Sequence, residues 1–242
     1  MRTLTGKVLL PAIAVLLASA LAAAQPGRRG PEYRRWEFSV FGGGSFLGDR
    51  SYPTAVTGSS TQTSRTVGLQ FATGSLFGAR VTENRGDRLG AVAEYSYSNL
   101  PVTFTGLSDS LPSHSPGHAV HRMEYDILYY GTDRAHRLRP YVLGGVGMML
   151  YHIAHTSVPD QNLTLSDSWK FAVNWGGGVK YLIWDQFGVT AQYAGSITTT
   201  PSYGLSSAAN LNGTQFTPGM NDSGYYYISL LSVGLFYTWG PR

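Results

Sequence analysis

Residues 169–180 read WKFAVNWGGGVK, with a large apolar residue or glycine at every odd position and a polar or small one at every even position. Successive side chains of a strand point to opposite sides, so Trp169, Phe171, Val173, Trp175, Gly177 and Val179 share one face. Lys170, Ala172, Asn174, Gly176, Gly178 and Lys180 share the other. Such a segment serves a soluble sheet that covers a core. It serves equally a membrane strand with lipid on one side and polar packing on the other. Recurrence of the pattern and the route of delivery decide between the two.

The pattern recurs along the chain. Residues 35–45 set Trp36, Phe38 and Val40 against Glu37 and Ser39, and about 68–83 sets Phe77, Ala79 and Val81 against Gly78, Arg80 and Thr82. Residues 89–98 oppose Leu89, Ala91, Ala93, Tyr95 and Tyr97 to Gly90, Val92, Glu94, Ser96 and Ser98; residues 121–131 oppose Met123, Tyr125, Ile127 and Tyr129 to Glu124 and Asp126. Residues 140–151 mix glycine with large apolar residues on both parities, and their faces stay unassigned. After the 169–180 segment comes 187–193, with Phe187, Val189, Ala191 and Tyr193 against Gly188, Thr190 and Gln192. The last, about 225–239, opposes Leu231, Val233, Leu235, Tyr237 and Trp239 to Ser232, Gly234 and Thr238, with Phe236 out of pattern.

Delivery is written at the amino end. Arg2 and Lys7 precede the apolar run VLLPAIAVLLASALAAA, and Ala22-Ala23-Ala24 offers a small-residue cleavage site, so 1–24 reads as an export signal. As a membrane anchor it is short, and Pro11 interrupts it. No later segment approaches the roughly 20 consecutive apolar residues a spanning helix needs. A spanning chain of this kind must close its strands into a ring, because an open sheet edge cannot lie unpaired in hydrocarbon. The expected fold is therefore an all-β, eight-stranded antiparallel transmembrane β-barrel over 35–242, preceded by a polar, Arg-rich lead over 25–34.

Connection lengths alternate as that architecture requires. Short ones at 84–88, 132–139 and 182–186 are expected on the periplasmic side; long ones at about 46–67, 99–120, 152–168 and 194–224 are expected outside. The stretches 51–67 and 194–224 are rich in Ser, Thr, Gly, Asn and Pro and read as flexible, solvent-exposed loops. There are 16 Tyr and 5 Trp, which fits aromatic girdles at the edges of a lipid-facing band. Cysteine is absent, which removes disulfides and thiolate chemistry. The formal net charge of +4, partly carried by the leader, is no nucleic-acid footprint.

The segments 139–147, RPYVLGGVG, and 175–181, WGGGVKY, followed by 187–193, resemble the fifth, sixth and seventh strands of the small eight-stranded outer-membrane barrels. That family includes the OmpA-like membrane domain and the opacity-type surface proteins, and the resemblance extends over about 35–239. It implies a bacterial outer-membrane location, contact with membrane lipid and lipopolysaccharide, insertion by the outer-membrane assembly machinery, a monomer, and no cofactor. A surface ligand, if there is one, is unnamed by the sequence. Many members end on an aromatic residue, whereas here Phe236, Tyr237 and Trp239 are followed by Gly240-Pro241-Arg242. The peptidoglycan-binding domain of longer relatives is not expected.

Applying the parity of each strand, Glu37, Arg80, Glu94, Glu124, Asp126, Lys170 and Lys180 point inward, where opposite charges must pair to offset their desolvation. The lipid-facing set is Trp36, Phe38, Val40, Tyr95, Tyr125, Phe171, Val173, Trp175, Val189, Tyr193, Val233, Leu235, Tyr237 and Trp239. The function expected is non-enzymatic: a structural or surface-interaction barrel acting through its outer loops. The alternatives are a narrow or gated pore, a soluble periplasmic β-sandwich and a lipid-modifying enzyme. His152, His155 and Ser157 are the residues an enzyme would draw on, yet no G-x-S-x-G elbow or acidic partner is evident beside them. His114, His118, His121 and Asp109 share a loop, but Pro116-Gly117 breaks any ligand spacing, and no metal site is expected. Gly42–44 and Gly176–178 lack the GxxxxGK[ST] pattern of a phosphate loop and read as thin strand.

Overall fold

The computed structural model describes residues 32–48, 50–57, 62–105, 117–153, 167–201, 209–211, 214–217 and 224–241. The export signal expected over 1–24 and the lead as far as residue 31 lie outside the described residues. Among the described residues thirteen strands follow in order: β1 (Trp36–Leu47), β2 (Arg50–Thr57), β3 (Gln62–Phe71), β4 (Gly74–Arg85), β5 (Leu89–Asn99), β6 (Val102–Thr105) and β7 (His118–Tyr130). The remainder are β8 (Leu138–Ile153), β9 (Ser168–Leu182), β10 (Phe187–Thr199), β11 (Ala209–Leu211), β12 (Thr214–Thr217) and β13 (Tyr225–Trp239).

Eight of them close into a ring in the order β1-β13-β10-β9-β8-β7-β5-β4, every pair antiparallel. Closure satisfies each backbone ladder on both sides, so no edge faces lipid. The first strand meets the last with Trp36 opposite Trp239 and Leu47 opposite Ile228. The connections at 86–88, 131–137 and 183–186 are short, and Gly86, at φ 70°, takes the left-handed conformation its turn requires.

The other five strands correct the expectation of loops. β11-β12-β2-β3-β6 form a second sheet built wholly from the first, second and fourth outer connections. The β-branched runs TAVT in β2 and SRTV in β3 give these polar stretches strand propensity, and pairing over Arg50↔Leu69 to Thr57↔Gln62 realises it. The strand expected over 68–83 is divided for the same reason. Gly68–Phe71 pairs with β6 in the upper sheet, and after Ala72-Thr73 the chain joins the barrel at Gly74. β8 also starts earlier than expected, at Leu138, which takes Arg139 out of a turn and into a strand.

Inside the ring, glycine makes room for large rings from neighbouring strands. Gly178 lies between Tyr141 and Gln192 in register, and a Cβ there would stand 2.6 Å from the Tyr141 hydroxyl oxygen. The bare backbone is what lets Tyr141 cross it to donate a hydrogen bond to Gln192 Oε1 at 2.7 Å. Gly178→Val is expected to displace that ring and destabilise the barrel by about 1–3 kcal/mol, read as a lowered urea midpoint. An unchanged midpoint would show the ring free to move aside.

Candidate functional site

Among the described residues the lumen gathers the buried ionisable side chains of this fold, and it is layered. Nearest the short turns, Lys180 Nζ reaches Glu37 Oε2 at 2.5 Å and the Tyr130 hydroxyl at 3.1 Å, while Asn84 donates to Glu37 Oε1 at 2.6 Å. Arg139 donates to Asn84 Oδ1 at 3.2 Å and to the Asp87 carbonyl at 2.8 Å, its guanidinium lying 3.5 Å from the centre of the Tyr130 ring. In the middle, Arg80 pairs with Glu94 at 3.1 Å and donates to Gln192, with the Phe41 ring beneath its guanidinium. Beside them Arg122 pairs with Glu124 and donates to Ser196 Oγ at 2.8 Å, and Asn174 donates to Asp126 Oδ1 at 3.3 Å.

The buried carboxylates Glu37, Glu94 and Glu124 are thus paired with Lys180, Arg80 and Arg122, while Asp126 is held by Asn174 and Arg139 by Asn84 and the Asp87 carbonyl. Glu94 stands directly opposite Glu124 in register, an arrangement that holds only because Arg80 and Arg122 flank the two. Lys170 shares the inward parity of Lys180. It lies on β9 ten residues nearer the outer mouth than Lys180 and is half-exposed. Arg122 and Arg139 were missed by sequence reasoning. Arg122 has the parity of Glu124 and Asp126, so extending the alternation by one pair finds it; Arg139 needed the true start of β8.

Above the charged layers the lumen turns apolar. Val120, Met149, Tyr151, Ile153, Ile228 and Leu230 pack together with Phe71, Leu100 and Val102, which come from the outer connections. Phe71 sets its ring edge-on to Tyr226, centroids 5.7 Å apart, and Tyr151 stacks on His118. The polar, charge-paired interior expected from the sequence is therefore found beside apolar packing: Val92, Leu128, Tyr130, Tyr141 and Leu143 cluster among the charged layers, and the outer half is mainly apolar, as burial favours. This also explains why the faces of 140–151 could not be assigned: from Val146 to Tyr151 both sides of β8 are apolar or glycine.

At the periplasmic mouth the amino side contributes a buried aromatic ring. Tyr33, fully buried, stacks on Phe236, donates its hydroxyl to the Arg137 carbonyl at 2.8 Å and donates its amide to the Arg134 carbonyl at 3.1 Å. Phe236, the residue out of pattern in the last strand, is the inward partner of that ring. Nearby in the 131–137 turn, the His136 ring at 2.7 Å holds the Asp133 carboxyl below its usual range. That contribution is present above the ordinary carboxylate range and lost as pH falls through the lowered value.

On the outer wall, Phe38, Val40, Tyr95, Tyr125, Phe171, Val173, Val189, Val233, Leu235 and Trp239 are exposed, and Trp36, Trp175, Tyr193 and Tyr237 are half-exposed. His152 also lies outward and contacts Asp167 at 3.0 Å, an acidic neighbour not evident from the sequence; His155 and Ser157 lie outside the described residues. His118 points into the lumen and bonds the Leu100 carbonyl at 2.9 Å, while His121 points outward to the Tyr95 hydroxyl at 2.8 Å. The two diverge, and Asp109 and His114 lie outside the described residues. Among the described residues no group of three or more His, Asp or Glu is placed to hold a metal.

A closed antiparallel ring of eight strands with an apolar belt outside and paired charges inside defines an outer-membrane β-barrel. Among solved structures the chain is similar to the outer membrane protein OprG from Pseudomonas aeruginosa, with a TM-score of 0.56 and 14% identity over 87% of this chain and 99% of that one. It also matches the N-terminal β-barrel domain of Pseudomonas aeruginosa OprF, TM-score 0.44 and 15% identity over 85% of this chain and 98% of that one. Neisserial surface protein A matches with a TM-score of 0.41 and 12% identity over 84% and 97%. At such identities the likeness is one of fold. No family model and no curated protein matches the chain.

Proposed function

We propose that this protein is a closed, non-catalytic mount in the outer membrane that works through the sheet its outer connections build. The observation that supports the reading is that residues outside the barrel strands pack at both ends, Tyr33 against Phe236 at one and Phe71 with Leu100 in the apolar cluster at the other. A solute path would have to break the Lys180–Glu37 and Arg80–Glu94 pairs and part the apolar layer above them. A β2–β3 hairpin paired on both flanks is, by contrast, more structure than a simple connection needs.

Conductance and adherence test the two halves of the proposal. Purified protein in planar bilayers is expected to give no reproducible single-channel steps; regular steps would reject the closed mount. Cells displaying the protein are expected to adhere to protein-coated glass under flow more than cells displaying a variant with residues 50–71 replaced by a Gly-Ser linker. Equal adherence would reject the surface role. The absence of cysteine makes the topology directly readable. A maleimide that cannot cross the membrane is expected to label Asp167→Cys on intact cells and Ala135→Cys only after the outer membrane is opened, and the reverse result would invert the orientation.

A further inference from the structure

The lipid-facing wall is not evenly convex. Near the periplasmic ends of β8, β9, β10 and β13 it holds a cavity of about 450 Å³, bounded by Leu138, Val179, Tyr181, Ala191, Val233 and Leu235. Register explains the hollow. Val179, Ala191 and Val233 form one outward row, in which Ala191 is the small member, and the next row toward the periplasm, Tyr181, Val189 and Leu235, is taller. The volume lies within the about 300–1,000 Å³ range of small-molecule sites.

Two features give the hollow a direction. Two residues farther along β10, Tyr193 is tied by its hydroxyl to Tyr227 at 2.6 Å and to Ser229 at 3.2 Å, and Trp175 stacks on Tyr227 with centroids 5.4 Å apart. That locked cluster raises the wall on the side facing the outer leaflet. On the opposite side, the residue before Leu138 is Arg137, exposed, with its guanidinium 3.4 Å from the Ile183 carbonyl; next to Ile183 stands Trp184, 68% exposed. An apolar trough blocked toward the outer leaflet, with a cation and an interfacial indole at its periplasmic end, matches one kind of molecule.

We infer that this trough is a binding site for a single glycerophospholipid of the periplasmic leaflet, an acyl chain lying over Ala191 and the phosphate meeting Arg137. The trough supplies chain burial, and the arginine selects an anionic head group. Native mass spectrometry of the full barrel in mild detergent, titrated with dioleoylphosphatidylglycerol, tests it. The unaltered protein is expected to hold one lipid more firmly than the rest. Ala191→Phe, which fills the trough, is expected to weaken that lipid about tenfold, comparable to losing about two buried methylenes. Arg137→Gln is expected to weaken phosphatidylglycerol more than phosphatidylcholine.

The controls are Ala93→Phe, outward on the far wall, and Arg88→Gln on another periplasmic turn, both expected to leave retention unchanged. Heat-modifiable gel migration confirms folding of each variant. If Ala191→Phe does not fold, the head-group preference of Arg137→Gln decides alone. Equal lipid retention in Ala191→Phe and Ala93→Phe would overturn the site in favour of nonspecific annular lipid. A lowered oligomeric state in Ala191→Phe without lipid loss would overturn it in favour of an interface between copies of this chain.

Discussion

Lys180→Met is expected to cost about 3–5 kcal/mol of barrel stability, the penalty for leaving one member of a buried ion pair behind. The side chains of Lys180 and Glu37 are 1% and 0% exposed, so neither can turn to water when its partner is removed. Glu37 would keep the Asn84 amide at 2.6 Å, which satisfies one lone pair but supplies no counter-charge. The measurement is a urea titration in lipid vesicles, followed by the shift in gel migration on unfolding. Glu37→Gln should cost less, since the amide stays polar and Lys180 keeps the Tyr130 hydroxyl. The double variant Lys180→Met with Glu37→Leu is expected to recover most of the loss, because removing both charges also removes their desolvation. If the double variant were as unstable as Lys180→Met, packing rather than charge would be what Lys180 contributes.

The strands of the ring were legible because the bilayer enforces one rule on all of them. Outward positions must be apolar whatever their neighbours do, so alternation at 89–98 or 187–193 survives without tertiary information. The inward side obeys no such single rule. Near the periplasm it mixes Lys180 and Arg139 with Leu128, Tyr130 and Tyr141, at mid-height Arg80 with Phe41, and toward the outside it is apolar, so Met149 and Tyr151 look from sequence like wall residues. The upper sheet was hidden for another reason. Composition places 51–67 among loops, since Ser, Thr and Gly dominate; β2 and β3 pair locally as a hairpin, but the flanks that widen it into a sheet come from segments far apart in the chain, β12 beside β2 and β6 beside β3. Non-local partners of short polar strands leave no period behind. Tyr33 shows the same limit on a smaller scale. One aromatic residue in an Arg-rich lead carries no pattern, and only the ring of Phe236 across the mouth gives it a role.

The inside and outside of the wall make opposite demands on a charge, and this supplies the sharpest test of which side meets lipid. Val146 sits at mid-height on β8, between Tyr125 and Val173 in register, and the three are 47%, 51% and 50% exposed. Val146→Arg places a guanidinium in hydrocarbon with no carboxylate beside it on that face and is expected to cost about 2–4 kcal/mol. Leu89→Arg, equally outward but at the first residue of β5 beside the periplasmic turn, is expected to cost only about 0–1 kcal/mol, because the side chain can reach the head groups. Both changes replace an exposed aliphatic residue with the same cation, and the strand-propensity difference between Val and Leu, within about 1 kcal/mol, is smaller than the effect expected of depth. A soluble sandwich with these faces in water would tolerate both equally. Folding of the two variants into vesicles across a urea series separates these outcomes, and equal midpoints would remove the lipid-facing assignment on which the rest of the wall depends.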